Sequence, residues 1–305
     1  MVRYRKAPSD PNVQDRRGMS TGGRRVALGG GGLGLGGLLL VLILNFCVGG
    51  GLGDLGGLAG ELVPADEPAS NTPLTTIAPE DDPDRQLREY MEAVYADNDL
   101  LWEDVFAQAG RSDFRSPGFV FFEGFIDSGC GGADERIGPH YCPLDETMYL
   151  DFSFFTQLRE QFGARGDLAP AYVISHEYGH HIQTVLGVSE QVRSLQQQNP
   201  GQANQLSVAM ELQADCFAGV WLSTVSVDPA GGEVQEGYIE IDPGEMSEAI
   251  EAAEAVGDDR IQEAATGMVN PEQWTHGSAD QRAQWLQRGV DGGDPGQCDT
   301  FSELG

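Results

Sequence analysis

The chain has 305 residues, the length of one large domain or two small ones and enough to bury a substantial core. Its formal net charge of −30, from 18 Lys+Arg against 48 Asp+Glu, is unevenly spread. Seven basic residues (Arg3, Arg5, Lys6, Arg16, Arg17, Arg24, Arg25) stand in the first 25 positions beside only Asp10 and Asp15, so the rest of the chain carries −35. A body that acidic repels phosphate backbones, which excludes nucleic acid as a partner.

The basic head, residues 1–25, precedes an uncharged stretch in which Leu38 to Leu44 is continuously apolar. About 20 apolar residues cross a bilayer core, so the pattern predicts one transmembrane helix over 26–48. Basic residues before it, with Asp54 and Glu61 after it, predict a single-pass protein of the cell membrane with a cytoplasmic N-terminus and an extracytoplasmic body. A cleaved signal peptide is the competing reading. Against it, the basic region is long, and the nearest small-x-small site, Val63-Pro64-Ala65, lies far beyond the apolar run. Cys47 follows Leu44-Asn45-Phe46, which lacks the small residues of a lipobox, and reads as an ordinary membrane residue.

Residues 49–84 are rich in Gly, Pro, Asp, Ala and Thr without periodicity and read as a flexible stalk. The globular domain, 85–305, opens on helical spacing of Leu87, Tyr90, Met91, Val94, Leu101 and Val105. Two aromatic and β-branched runs, Phe119 to Phe122 and Thr147 to Phe152, predict strands around a glycine-rich segment. Helices are then predicted over 156–162, 170–186, 189–197 and 201–224. An acidic, turn-rich loop over 227–245 follows, and after it helices over 246–256 and 279–290. The fold class is a helix-dominated α+β domain with a small sheet packed on one side, preceded by the transmembrane helix.

Four further cysteines, Cys130, Cys142, Cys216 and Cys298, lie in the acidic body without zinc-ribbon spacing. An even number in an oxidising compartment predicts two disulfides. Of the three connectivities, Cys130 with Cys142 is the local choice, which leaves Cys216 with Cys298; buried free thiols are the alternative.

The chemistry is concentrated in Ser175-His176-Glu177-Tyr178-Gly179-His180. Two histidines four apart on a helix share one face. Both imidazoles can bind one Zn²⁺, while Glu177 lies beside the metal and can take a proton from its water. In a chain with five histidines this motif is expected by chance only on the order of 0.006 times. A catalytic zinc needs a third ligand and an open position, and no third histidine follows closely. Glu211 stands instead in a second apolar helix, where an unpartnered carboxylate is costly to bury. Zinc would be that partner. Asp215, one turn on, could accept the second ring N–H of a histidine ligand. His140 and His181 read as a loop residue and an outward-facing helix residue.

H-E-x-x-H followed by E-x-x-x-D on a later helix resembles the gluzincin metallopeptidases. More closely, Ile174 to Gln183, Glu211 to Gly219 and Thr275-His276-Gly277-Ser278 resemble the bacterial neutral zinc metallopeptidase family, as do the strand from Tyr149 and the glycine-rich head. Thr275 to Arg282 is also similar to the T-H-P-S-x-x-x-R segment of membrane-associated gluzincins, in which the His and Arg stabilise an oxyanion. The likeness implies that role for His276 and Arg282, facing the substrate carbonyl; Gly277 stands where those enzymes have proline.

These readings predict a membrane-anchored zinc metalloendopeptidase acting on peptides or proteins. Zinc on His176, His180 and Glu211 activates a water, and Glu177 is the general base. The strand over 147–152 is the expected edge for pairing with an extended substrate, and a cleft with negative walls would favour basic or neutral peptides. The rival is a non-catalytic, zinc-stabilised envelope binding or assembly module.

Overall fold

The structure, a computed structural model, describes residues 2–18, 81–134, 138–161, 166–227, 238–242 and 244–304. The membrane span expected over 26–48, and residues 49–80 of the expected stalk, lie outside these. Among the described residues no helix is long and apolar enough to cross a membrane. The architecture is helix-rich with small sheets, an α+β arrangement.

The elements in chain order are β1 (Arg3–Tyr4), β2 (Val13–Asp15), α1 (Arg85–Gln108), β3 (Gly118–Phe122), β4 (Phe125–Ser128), β5 (Gly131–Asp134), β6 (His140–Cys142) and β7 (Thr147–Asp151). They continue with α2 (Ser153–Gln161), α3 (Ala169–Val185), α4 (Val188–Gln198), α5 (Ala203–Thr224), β8 (Ser226–Val227), β9 (Ile239–Ile241), α6 (Met246–Ala255), α7 (Asp258–Thr266) and α8 (Ala279–Gly292).

The main sheet has the order β2-β3-β7-β6, parallel except for the antiparallel β6. Alternation along a strand divides its side chains between two faces. Phe119, Phe121, Met148 and Leu150 join the large core formed with α1, α3 and α5, while Val120, Phe122 and Tyr149 join a smaller cluster with Ile126 and Ala133 of the β4–β5 hairpin. Strand β7 is paired on both sides, so it is not the edge that the sequence suggested. The edge beside it is β6.

Residues 3–15 of the head pair with the body: β1 pairs with β9, in the small β1-β9-β8 sheet, and β2 pairs with β3, in the main sheet. The head's cations meet the body's acids: Arg3 binds Asp242 at 3.0 Å, Lys6 binds Glu89 at 2.8 Å, and Arg17 binds Asp82 at 2.7 Å. The acidic stretch read as loop also holds β9, whose three residues are buried.

Candidate metal centre

Helix α3 carries the histidine motif through the interior, with Pro170 in its first turn, where a missing N–H costs nothing. Gly179, between the two histidines, is the point of closest approach to α5: a Cβ there would lie 3.0 Å from both Cα and O of Ala214. That approach brings Glu211 under the histidines. Its Oε2 lies 3.2 Å from Nε2 of His176 and its Oε1 lies 3.4 Å from Nε2 of His180. The three donor atoms all fall within 4.8 Å of one another.

Both imidazoles are fixed in one tautomer by groups that can only accept. Nδ1 of His176 donates to Asp215 Oδ1 at 2.8 Å. Nδ1 of His180 donates to Gln183 Oε1 at 2.9 Å, and that amide cannot be turned over because its nitrogen donates to Met210 O at 2.7 Å. In each ring Nε2 is thereby the nitrogen turned toward Glu211, and it offers a lone pair to a metal once its proton is displaced. Two imidazole nitrogens and one carboxylate, with oriented outer partners, fit a catalytic Zn²⁺ with an open coordination position.

The electrostatics agree. Burial pushes the His176 pKa down, but Asp215 and Glu211 outweigh it and raise it to about 9. Burial would raise the Glu211 carboxyl, yet His180, His276 and His176 hold it well below its ordinary range. Glu211 and Asp215 are thus held ionised, the form that attracts a divalent cation.

Asp215, fully buried, accepts from Tyr172 Oη at 2.6 Å, from His176, and from Arg282 through Nε at 2.8 Å and Nη2 at 3.0 Å. Arg282, expected to face substrate, is 4% exposed; its Nη2 also donates to Tyr172 Oη at 3.1 Å and lies 3.3 Å from Nδ1 of His176 and 3.9 Å from Glu211 Oε2.

His276 keeps a place near the centre, since its charge bears on Glu211. Its Nδ1 lies 3.1 Å from Asp258 Oδ1. Oδ2 of the same carboxylate accepts three consecutive backbone N–H groups, from Thr275 and His276 at 2.7 Å and Gly277 at 3.2 Å. Gly277 has φ +91°, a conformation and an N–H that proline cannot supply. The loop therefore replaces the proline of the similar enzymes with an Asp-centred clamp. Ser278 and Gln281 then form a capping box that starts α8.

Glu177 is half-buried, and its charge bears on His180 and on His140 of β6. His140 and His181 are both buried; the first lies in a strand rather than a loop, and the second does not face outward as expected. His181 is held by Tyr141 Oη at 3.1 Å and by Arg115 O at 2.7 Å. The disulfides are Cys130–Cys142 and Cys216–Cys298. The second ties the C-terminal segment to α5, with Gln213 donating to Cys298 O at 2.9 Å and Thr300 to Ala209 O at 2.6 Å.

Sequence reasoning missed Tyr172, Gln183 and Asp258. For Gln183 a signal existed, because an amide three residues after a histidine lies on the same helix face. Asp258 had none, since it acts across a turn from another helix.

Residues 2–301 match the model of a family described as "Putative neutral zinc metallopeptidase". The chain is 39% identical over 309 residues to the uncharacterized protein YpfJ of Escherichia coli K12, covering 99% of each. It is 45% identical over 208 residues to the uncharacterized proteins Rv2575 of Mycobacterium tuberculosis H37Rv and Mb2605 of Mycobacterium bovis, covering 67% of each chain. No solved structure matches.

Proposed function

The chain belongs to this family of zinc metallopeptidases, and on that footing we propose that it is a gluzincin-like endopeptidase, attached to a membrane through the run 26–48, with Glu177 as general base. The observation that carries the reading is the convergence of His176, His180 and Glu211, with both ring tautomers fixed and Glu177 in the same helical turn. The two disulfides support an oxidising, extracytoplasmic compartment.

His176, His180 and Glu211 would hold the Zn²⁺, which would supply Lewis-acid polarisation of the scissile carbonyl and a lowered pKa, toward about 7, for the attacking water. Glu177 takes the proton from that water and delivers it to the leaving amine nitrogen. Asp215 and Gln183 keep the ligand rings from turning, and Arg282 keeps Asp215 charged. His276, held through Nδ1 by Asp258, has Nε2 left to donate to the developing oxyanion. Edge strand β6 offers main-chain pairing to an extended peptide, and the acidity of the body favours basic or neutral peptides over acidic ones.

Zinc content and cleavage of a peptide library, compared between the full chain and Glu177→Gln, test the reading. Both proteins are expected to bind one zinc, and only the first to cut. If both bind zinc and neither cuts, the site is a structural one and the module reading replaces this one.

A further inference from the structure

The chain on either side of residues 19–80 meets at one buried point. The Arg17 guanidinium, 1% exposed, binds Asp82 and Asp15 at 2.7 Å each and lies 4.3 Å from the centre of the Phe152 ring. Arg88 reaches the same Asp82 oxygen at 2.9 Å. Parting a buried ion pair leaves an uncompensated charge and is strongly destabilising.

Contacts elsewhere in the head are independent of that clamp. Strand β1 is hydrogen-bonded to β9 in the register Arg3↔Glu240 and Tyr4↔Ile239, and β2 to β3 from Val13↔Phe119 to Asp15↔Phe121. Tyr4 packs on Tyr90 with ring centroids 5.5 Å apart and donates to Gln86 O at 3.1 Å. The guanidinium of Arg5 lies 4.7 Å from the centre of the Tyr238 ring.

A single crossing over 26–48 would separate these partners by about 30 Å of hydrocarbon. It would also need Arg3, Lys6 and Arg17 as free cations at the cytoplasmic face, whereas all three are engaged by Asp242, Glu89 and Asp82 of the body. We infer that the N-terminal strands and the peptidase body lie on the same side of any membrane that residues 19–80 enter, so that the run 26–48 is not a lone crossing between them. This is at odds with a cytoplasmic N-terminus joined by one crossing to an extracytoplasmic body, and it stands whether or not the protein is a peptidase.

The test is protease accessibility of the full chain, carrying different epitope tags at its two ends, in intact spheroplasts and after lysis. Both tags are expected to share one fate in intact cells, lost together or protected together. Loss of one with protection of the other overturns the inference.

A second measurement separates docking from sidedness. A sequence-specific protease site is placed between residues 55 and 65 of the full chain, and the purified protein is cut. The N-terminal fragment is expected to stay with the body through size-exclusion chromatography, and Arg17→Glu to lower the retained fraction about tenfold or more. Release of the wild-type fragment, or retention unchanged by Arg17→Glu, overturns the clamp.

Discussion

Gly219 of α5 and Gly289 of α8 face each other where the two helices cross: a Cβ on Gly219 would lie 2.1 Å from Leu286 O, and one on Gly289 would lie 2.1 Å from Cys216 O. No side chain fits between these backbones. The crossing sets the depth at which Arg282, two turns earlier on α8, meets Asp215, one turn earlier on α5. Gly219→Ala and Gly289→Ala are therefore each expected to cost about 1–3 kcal/mol or more by forced separation, and to weaken zinc binding as well. Denaturant midpoints and chelator competition measure the two effects. Full stability in either variant would contradict the packing.

Removing the charge beneath His176 gives a second expectation. Asp215→Asn leaves Arg282 buried beside a neutral group and replaces the charged acceptor of the His176 N–H with an uncharged amide oxygen. Zinc affinity should fall about 10–100-fold. Arg282→Lys should also raise the zinc Kd, since one ammonium cannot reproduce the two-pronged contact. An Arg282 that faced substrate would instead lower kcat with zinc binding intact.

The loop carrying His276 separates positioning from metal binding. Asp258→Asn and Gly277→Pro both break the three-amide clamp, and proline is excluded by φ +91° as well. Each should retain zinc and lose kcat by about 10²–10³, matching His276→Ala, if His276 donates to the oxyanion. Zinc loss in these variants would move His276 into the metal shell.

His181 predicts a pH dependence. Burial lowers its pKa from 6.5 to about 4, and its Nε2–H donates to Arg115 O while Nδ1 accepts from Tyr141. The folded chain holds this ring neutral, whereas the unfolded chain takes a proton near 6.5. Its contribution is thus complete above pH 6.5 and is lost as pH falls toward 4, by about 3 kcal/mol in all. The urea stability of wild type minus that of His181→Gln should shrink across that window. A difference independent of pH would show that the ring is protonated in the fold.

The helix from Ala169 to Val185 and its histidines were legible because a periodic apolar helix with an embedded motif is a local signal. Glu211 was legible for a related reason, a lone carboxylate in an apolar run. The elements that escaped are those without local signal. Strands β1, β6 and β9 have two or three residues each, too few to show alternation, and β1 pairs with a partner more than 200 positions away. Helix α7, which opens on the polar sequence Asp258-Asp259-Arg260-Ile261-Gln262-Glu263, buries only Asp258 and Gln262 and so lacks an apolar stripe. The same blindness explains Arg282. Its sequence neighbourhood resembles an oxyanion loop, and its contact with Asp215 appears only in three-dimensional packing.

The bond between Cys216 and Cys298 encloses the stretch that holds β9, His276, Arg282 and Gly289. A single cut anywhere within that stretch leaves one covalent molecule, with α8 still fastened to the helix that bears Glu211 and Asp215. An enzyme that nicks its neighbours, or is nicked by them, in the acidic segment after α5 would keep its centre assembled. Its two pieces would separate on a gel only after a thiol reductant is added.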